Sequence, residues 1–157
     1  MTLDRFDRQL LNLVQVDATR TADQLSELVA LSPSAVQRRL RRMKDDGVII
    51  GEVAIVDPRH VGRPTFFIVS LQVERERPEL LARLRGWLGD HDAIQQVFYV
   101  TGEADFILVI AARDTEAFEL LMAALMADNP NVRRFTTSVA LSVPKRSLFV
   151  PVPIDGE

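Results

Sequence analysis

From Phe6 onward the apolar positions recur at helical spacing. Phe6, Leu10, Leu13 and Val14 stand at i, i+4, i+7 and i+8, and Asp4 is placed to cap the helix they imply. Thr21 and Gln24 then have the spacing of a capping box, with Leu25, Leu28 and Val29 as the apolar face of a second helix. In "SPSAVQRRLRRMKDDG", Ser32 is the expected N-cap of a third helix, and Pro33 falls at the first helical position, where its missing N–H costs nothing. Val36, Leu40 and Met43 give that helix a buried stripe, and Gly47 suits a left-handed cap at its end. The run "VIIGEVAIVD" that follows reads as a short strand pair or ribbon. Across "VDPRHVGRP" the periodicity stops at two prolines and a glycine.

Beyond that break the period is two. "TFFIVSLQVE" predicts a strand with Phe67, Val69, Leu71 and Val73 on one side, and "PELLARLRGWLG" a helix with Leu80, Leu81, Leu84, Trp87 and Leu88 on its apolar face. "AIQQVFYV" and "DFILVIAA" predict strands on either side of the turn "TGEA". A second helix spans about residues 115–127, with Phe118, Leu121 and Leu125 inward, and "VRRFTTSVALSV" alternates as a final strand over 132–143. The order βαββαβ is the ferredoxin-like arrangement, an antiparallel sheet with two helices on one face. The fold class is therefore α+β: an N-terminal winged helix-turn-helix head over residues 1–56, a linker over 57–64, a ferredoxin-like domain over 65–147 and a tail over 148–157. The second sheet face, which holds Phe66 and Ile68, needs a cover, and oligomerisation is the economical one.

Composition narrows the classes. The chain has 157 residues, 47% hydrophobic and 26% charged, as a water-soluble globular protein does. No apolar run approaches the roughly 18 residues of a membrane helix, and "MTLDRFDRQL" has neither the basic nor the apolar region of a secretory signal. The absence of cysteine excludes disulfides and thiolate metal sites, and two distant histidines, His60 and His91, offer no metal centre. The expected place is the cytoplasm. A catalytic set is missing: Ser138 and Ser142 have no candidate base, and no glycine-rich phosphate loop occurs, so the chain is expected not to be an enzyme and to need no cofactor.

Net charge is −3, so any affinity for nucleic acid must come from a local patch. The patch is in the third predicted helix, where Arg38, Arg39, Arg41, Arg42 and Lys44 fall within seven residues with no acid among them. Residues 1–57 hold eight basic and nine acidic side chains, which confines the positive potential to that one helix. At a period of ~3.6 residues, Ser34, Gln37, Arg38, Arg41 and Arg42 lie away from Val36, and only Arg39 lies near the apolar border. A capped helix, the short turn "ALS" and a second helix basic on its outer side make a helix-turn-helix. Ser34, Gln37 and Arg38 lie near enough to the start of that helix to reach base edges, and Arg41 and Arg42 meet phosphates. Thr21, Ser32 and Lys44 complete the expected DNA-facing set. One such helix is a weak reader, and paired half-sites on double-stranded DNA call for a dimer.

"LSPSAVQRRLRRMKDDGVI", then "GEVAIVDPRHVG", then "YVTGEADFILVI" within a βαββαβ domain, resembles the Lrp/AsnC (feast/famine) family of transcription regulators over about residues 3–147. The resemblance implies a nucleoid-associated regulator that dimerises through its C-terminal sheets, commonly assembles as an octamer of four dimers, and senses small molecules, mostly amino acids. It places the effector against the loop of Val100, Thr101, Gly102, Glu103 and Asp105, with the Gly102 backbone holding the ligand carboxylate or lining the pocket, Asp105 facing the ammonium group, and Thr136, Thr137 and Ser138 supplying hydroxyls. An architectural DNA-wrapping protein without an effector requires the same helix and assembly, and remains the alternative. The tail "VPVPIDGE" shows no motif.

Overall fold

The computed structural model describes residues 2–154. The chain divides into two compact units, one made of the residues through Ile55 together with those from Lys145 onward, the other of residues 56–144.

The first unit is a three-helix head: α1 Arg5–Val16, α2 Ala22–Val29 and α3 Pro33–Asp45. Each start is fixed by a side chain. Asp4 and Asp7 form a reciprocal capping box on α1, Thr21 and Gln24 form another on α2, and the Ser32 hydroxyl accepts from Ala35 N–H on α3. The α3 end is a Schellman motif: Val48 N–H donates to the Met43 carbonyl (2.8 Å), Gly47 N–H to that of Lys44 (3.0 Å), and Gly47 has φ +70°. Leu10, Leu11, Leu25, Val29, Val36 and Met43 form the buried core. Leu28, expected inside, is exposed, and Leu11 takes its share of the core.

The ribbon expected in "VIIGEVAIVD" does not form; residues 48–56 are in no strand. The N–H groups of Val48 and Ile49 are consumed by the Met43 carbonyl in closing α3, so the ladder would lose its first two donors. What remains, residues 50–56, is in neither helix nor strand, and Ile50, Val53 and Ile55 stand in solvent.

In the second unit a 3-10 turn, Pro58–His60, precedes β1 Thr65–Val73, α4 Pro78–Gly89, β2 Ile94–Tyr99, β3 Phe106–Ala112, α5 Thr115–Asp128 and β4 Val132–Val139. The sheet order is β2-β3-β1-β4, antiparallel throughout. Directly opposed residues share a face, so the register sorts the side chains. Val97, Leu108, Val69 and Thr137 make one cross-sheet row on the core side, and Tyr99, Phe106, Leu71 and Phe135 the next. Leu81, Leu84 and Leu88 of α4 and Phe118, Met122 and Leu125 of α5 pack there, with Phe67 and Phe118 stacked at 4.0 Å. The opposite face has the rows Gln96, Val109, Ile68, Ser138 and Phe98, Ile107, Ser70, Thr136. Ile68 and Phe98 on it are exposed.

The final strand stops at Val139 although the alternation continues to Val143. Its partner β1 begins at Thr65, just after Pro64, which has no N–H to give; Ala140 N–H makes the last bond, to Phe66, and Leu141 is 98% exposed.

Candidate functional site

Helix α3 is held by charge as well as by its apolar stripe. Asp7 of α1, with 1% of its side chain exposed, accepts from Arg39 Nη1 on Oδ1 (2.8 Å) and from Arg42 Nη2 on Oδ2 (2.7 Å). Arg39 also reaches Asp4 Oδ2 (2.7 Å) and lies over the Phe6 ring, 5.6 Å from its centroid. The Asp7 and Asp4 carboxylates raise the Arg39 pKa above its ordinary value, and Asp4 is lowered, first by the Asp7 N–H it accepts and also by Arg39. Two carboxylates at the start of α1, the N-cap Asp4 and the first-turn Asp7, thus fix two guanidinium groups of α3.

That arrangement divides the basic run. Arg39, at the apolar border in the sequence, is a tie between helices. Arg42 is drawn to Asp7, and Lys44 pairs with Glu52 (2.8 Å). Arg41 is 86% exposed, with only a 3.9 Å approach to Asp45, and Ser34, Gln37 and Arg38 are exposed beside it. The outer face of α3 is therefore Ser34, Gln37, Arg38 and Arg41, with Val36 and Met43 buried behind it. Thr21 and Ser32 lie at helix starts, where each hydroxyl accepts a backbone N–H; Ser32 also bonds Ser34 Oγ (3.1 Å). The turn between α2 and α3 is made by Ala30, whose φ of +54° puts a non-glycine residue in the left-handed region.

The loop after β2 is tied to the sheet at both ends. Val100 N–H donates to the Asp105 carbonyl (2.9 Å), and Asp105 N–H to that of Leu71 (2.9 Å). Asp105 Oδ2 accepts from Val73 N–H (2.7 Å), where the register of β1 with β4 shifts between Gln72 and Val73 and the ladder loses a bond. Thr101, Gly102 and Glu103 are exposed, and Gly102 has φ +118° with open space where a Cβ would stand. Gln72 donates to the Glu103 carbonyl and accepts from Arg134 Nε (2.7 Å), which links the loop through β1 to β4. Gln72 and Arg134 carry no motif; only the cross-strand register reveals them as partners.

Thr136, Thr137 and Ser138 do not act as one group, because a strand alternates. Thr136 and Ser138 share the open face with Ser70 and Ile68, whereas Thr137 is opposite Val69 on the core side, where its buried hydroxyl has no hydrogen-bond partner among the described residues. Elsewhere, Trp87 donates to Asp128 (3.0 Å) and stacks on His91, which accounts for both rings without a ligand. Among the described residues no His, Asp and Glu cluster has metal-binding geometry, and no helix is long and apolar enough to cross a membrane.

Two family models match separate stretches of the chain. Residues 3–50 match a winged helix-turn-helix DNA-binding family, and residues 67–148 match the Lrp/AsnC ligand binding domain. An HTH-type transcriptional regulator from Sinorhizobium fredii is 40% identical over 154 residues, 98% of this chain and 91% of that protein. The crystal structure of an AsnC family transcriptional regulator from Agrobacterium tumefaciens superposes with a TM-score of 0.86 at 26% identity, covering 95% of this chain and 97% of that one. A transcriptional regulator from Neisseria meningitidis, solved as a complex with L-Met, gives 0.84 at 26% identity, over 96% of this chain and 97% of that one. With a DNA-binding head and a ligand-binding sheet domain in one polypeptide, the chain belongs to the Lrp/AsnC family of transcription regulators.

Proposed function

We propose that the chain is a sequence-specific regulator in which α3 enters the major groove, Ser34, Gln37 and Arg38 facing base edges and Arg41 a phosphate. One observation supports this above others: α3 is buried on one side and tied down by Asp7, while the side bearing these four residues is exposed. A helix so fixed presents its donors without having to order first, and exposed guanidinium groups suit both phosphate contact and bidentate recognition of guanine. Arg42 and Lys44 already have carboxylate partners and add less to DNA affinity; Thr21 and Ser32 act through the capped helix ends, which put N–H groups near the duplex backbone.

In this reading the active form is a homodimer, joined through the sheet face that bears Ile68, Phe98, Ile107 and Val109, and further assembled toward an octamer of four dimers. The head over residues 1–56 and the sheet domain over 65–147 then work as reader and sensor on either side of the 57–64 linker. The place of action is the cytoplasm, at the nucleoid, where the DNA is. The effector is a small amino acid bound at the loop of Val100, Thr101, Gly102, Glu103 and Asp105. Support comes from the L-Met complex of the Neisseria regulator, from the open backbone at Gly102, and from the hydroxyls of Thr136 and Ser138 on the exposed face. Binding that favours one assembly over another changes how several heads meet their sites, which is linkage between effector and DNA.

The test is a gel shift on genomic fragments with Arg38→Ala/Arg41→Ala, with light scattering to confirm unchanged assembly. Affinity is expected to fall and the slope of log K against log salt to lessen by about 0.9 for each phosphate no longer neutralised. Binding equal to wild type rejects the reading of α3. Thermal scans with each amino acid test the sensor, since a ligand of the native state raises the midpoint. No shift with any of them favours an architectural protein that wraps DNA without an effector.

A further inference from the structure

Residues 150–153 form a defined contact with α1. Gln15 pairs with both polar groups of Val150, accepting from its N–H (2.8 Å) and donating to its carbonyl (2.9 Å). Asn12 treats Val152 in the same way, accepting at 3.1 Å and donating at 2.8 Å, and Arg8 Nη1 donates to the Pro153 carbonyl (3.2 Å). Arg8, Asn12 and Gln15 stand at i, i+4 and i+7, one line along the helix. The tail runs along it in the opposite direction.

A primary-amide side chain has the same donor and acceptor pair as a peptide group, so each contact imitates one rung of a β-ladder. Three residues of helix rise about 4.5 Å and two residues of extended chain about 6.6 Å, and the extra methylene of Gln over Asn helps absorb the difference. The prolines fit the same geometry. Pro151 and Pro153 lie between and after the paired valines, where an extended chain turns its N–H away from the helix, so no bond is lost and φ is already fixed. The Val152 side chain packs against the core of the head.

We propose that Arg8, Asn12 and Gln15 form a docking site for an extended Val-Pro-Val-Pro peptide, and that its occupant is residues 150–153 of the same chain. The DNA-binding head is then joined to the sheet unit by polypeptide at both ends: by the linker after Ile55 and by this strap, which leaves the sheet unit at Pro144. The proposal goes beyond the regulator reading and does not depend on it, since its test requires neither DNA nor effector.

Residues 150–153 contain just two backbone N–H groups, those of Val150 and Val152, and each is bonded to α1. Amide exchange followed by NMR on the full chain reads them one at a time. In wild type both are expected to exchange roughly tenfold or more slowly than free chain. Gln15→Ala should accelerate Val150 most and Asn12→Ala Val152 most, while the Val36 amide inside α3 keeps its protection and shows that the head is folded. Free-chain rates for both valines in wild type, or unchanged slow rates in Asn12→Ala/Gln15→Ala, overturn the proposal. Slowing that disappears on dilution assigns the site to a second copy's tail and overturns the own-chain assignment.

Discussion

Asp7→Ala tests how α3 is held. The substitution removes two charge-assisted bonds to α3, each worth about 1.5–3 kcal/mol, and one half of the α1 capping box, worth about 0.5–2 kcal/mol. These do not sum, because the freed cations find other partners: Arg42 is already 47% exposed and rehydrates, and Arg39 keeps Asp4. Breaking a buried pair by removing one partner costs about 3–5 kcal/mol, and this relief puts the expected loss near 3 kcal/mol. Asp7→Asn, which keeps an acceptor and gives up the charge, should lose about half as much. In a unit whose buried core is six side chains, such a loss is a large share of a stability of about 5–15 kcal/mol. The assay follows from the sequence. Trp87, the one tryptophan, lies in the sheet unit, so its fluorescence follows that unit in urea while helical circular dichroism follows both. With an m-value near 1 kcal/mol per molar, expected for so small a unit, the head transition in circular dichroism should move down by about 2–3 M and the Trp87 curve should stay in place. A shift under about 1 kcal/mol, or equal displacement of the two curves, refutes the idea that Asp7 clamps α3. Adding Arg39→Ala to Asp7→Ala should cost less than Arg39→Ala alone, as coupled residues require.

Ala30→Gly should stabilise the head by up to about 1 kcal/mol, read as a higher urea midpoint, because glycine relieves the left-handed strain and gives back part of the gain as unfolded-chain entropy. Gly102→Ala should destabilise the sheet unit by about 1–2 kcal/mol in the Trp87 curve, from backbone strain alone, since nothing lies within 4 Å of the added methyl. Arg41→Ala and Arg42→Ala should divide their effects: the first lowers the salt slope of DNA binding, measured by gel shift, and leaves the head stable, while the second does the reverse. Acid should fray helix starts. Asp114 is lowered first by the Ala117 N–H it accepts at the start of α5, as Asp4 is by Asp7 N–H at α1, so their contribution is present above the ordinary aspartate value and lost as pH falls through the depressed one. Circular dichroism from pH 6 to 2 should show helix loss concentrated at the low end, and loss that begins above pH 5 contradicts this assignment.

Most elements were legible because their signals are local. Asp4, Thr21 and Ser32 mark three helix starts by type and spacing, and Gly47 marks a helix end, so a stretch of a few residues sufficed for each. The strand alternation located β1 and β3 for the same reason. Three features were not readable, and all depend on distant partners. The run of residues 48–56 has the composition of a strand, but its leading N–H groups belong to the end of α3. Arg39 stands apart in the sequence by its place at the apolar border, but Arg42 looks like its neighbours, and only the approach of Asp7, more than thirty residues earlier, separates it from Arg38 and Arg41. Gln72, which joins the loop after β2 to Arg134, acquires its meaning from strand register.

On α3 the side chains that grip the protein and those that face outward are different sets, interleaved along thirteen residues. Val36, Met43, Arg39 and Arg42 anchor; Ser34, Gln37, Arg38 and Arg41 do not. Under the proposed reading of α3, operator preference can drift, or be rewritten in the laboratory, by recoding those four positions while the scaffold beneath keeps its stability. On the same reading, paralogues with new targets can arise from this head without any need to re-evolve its fold.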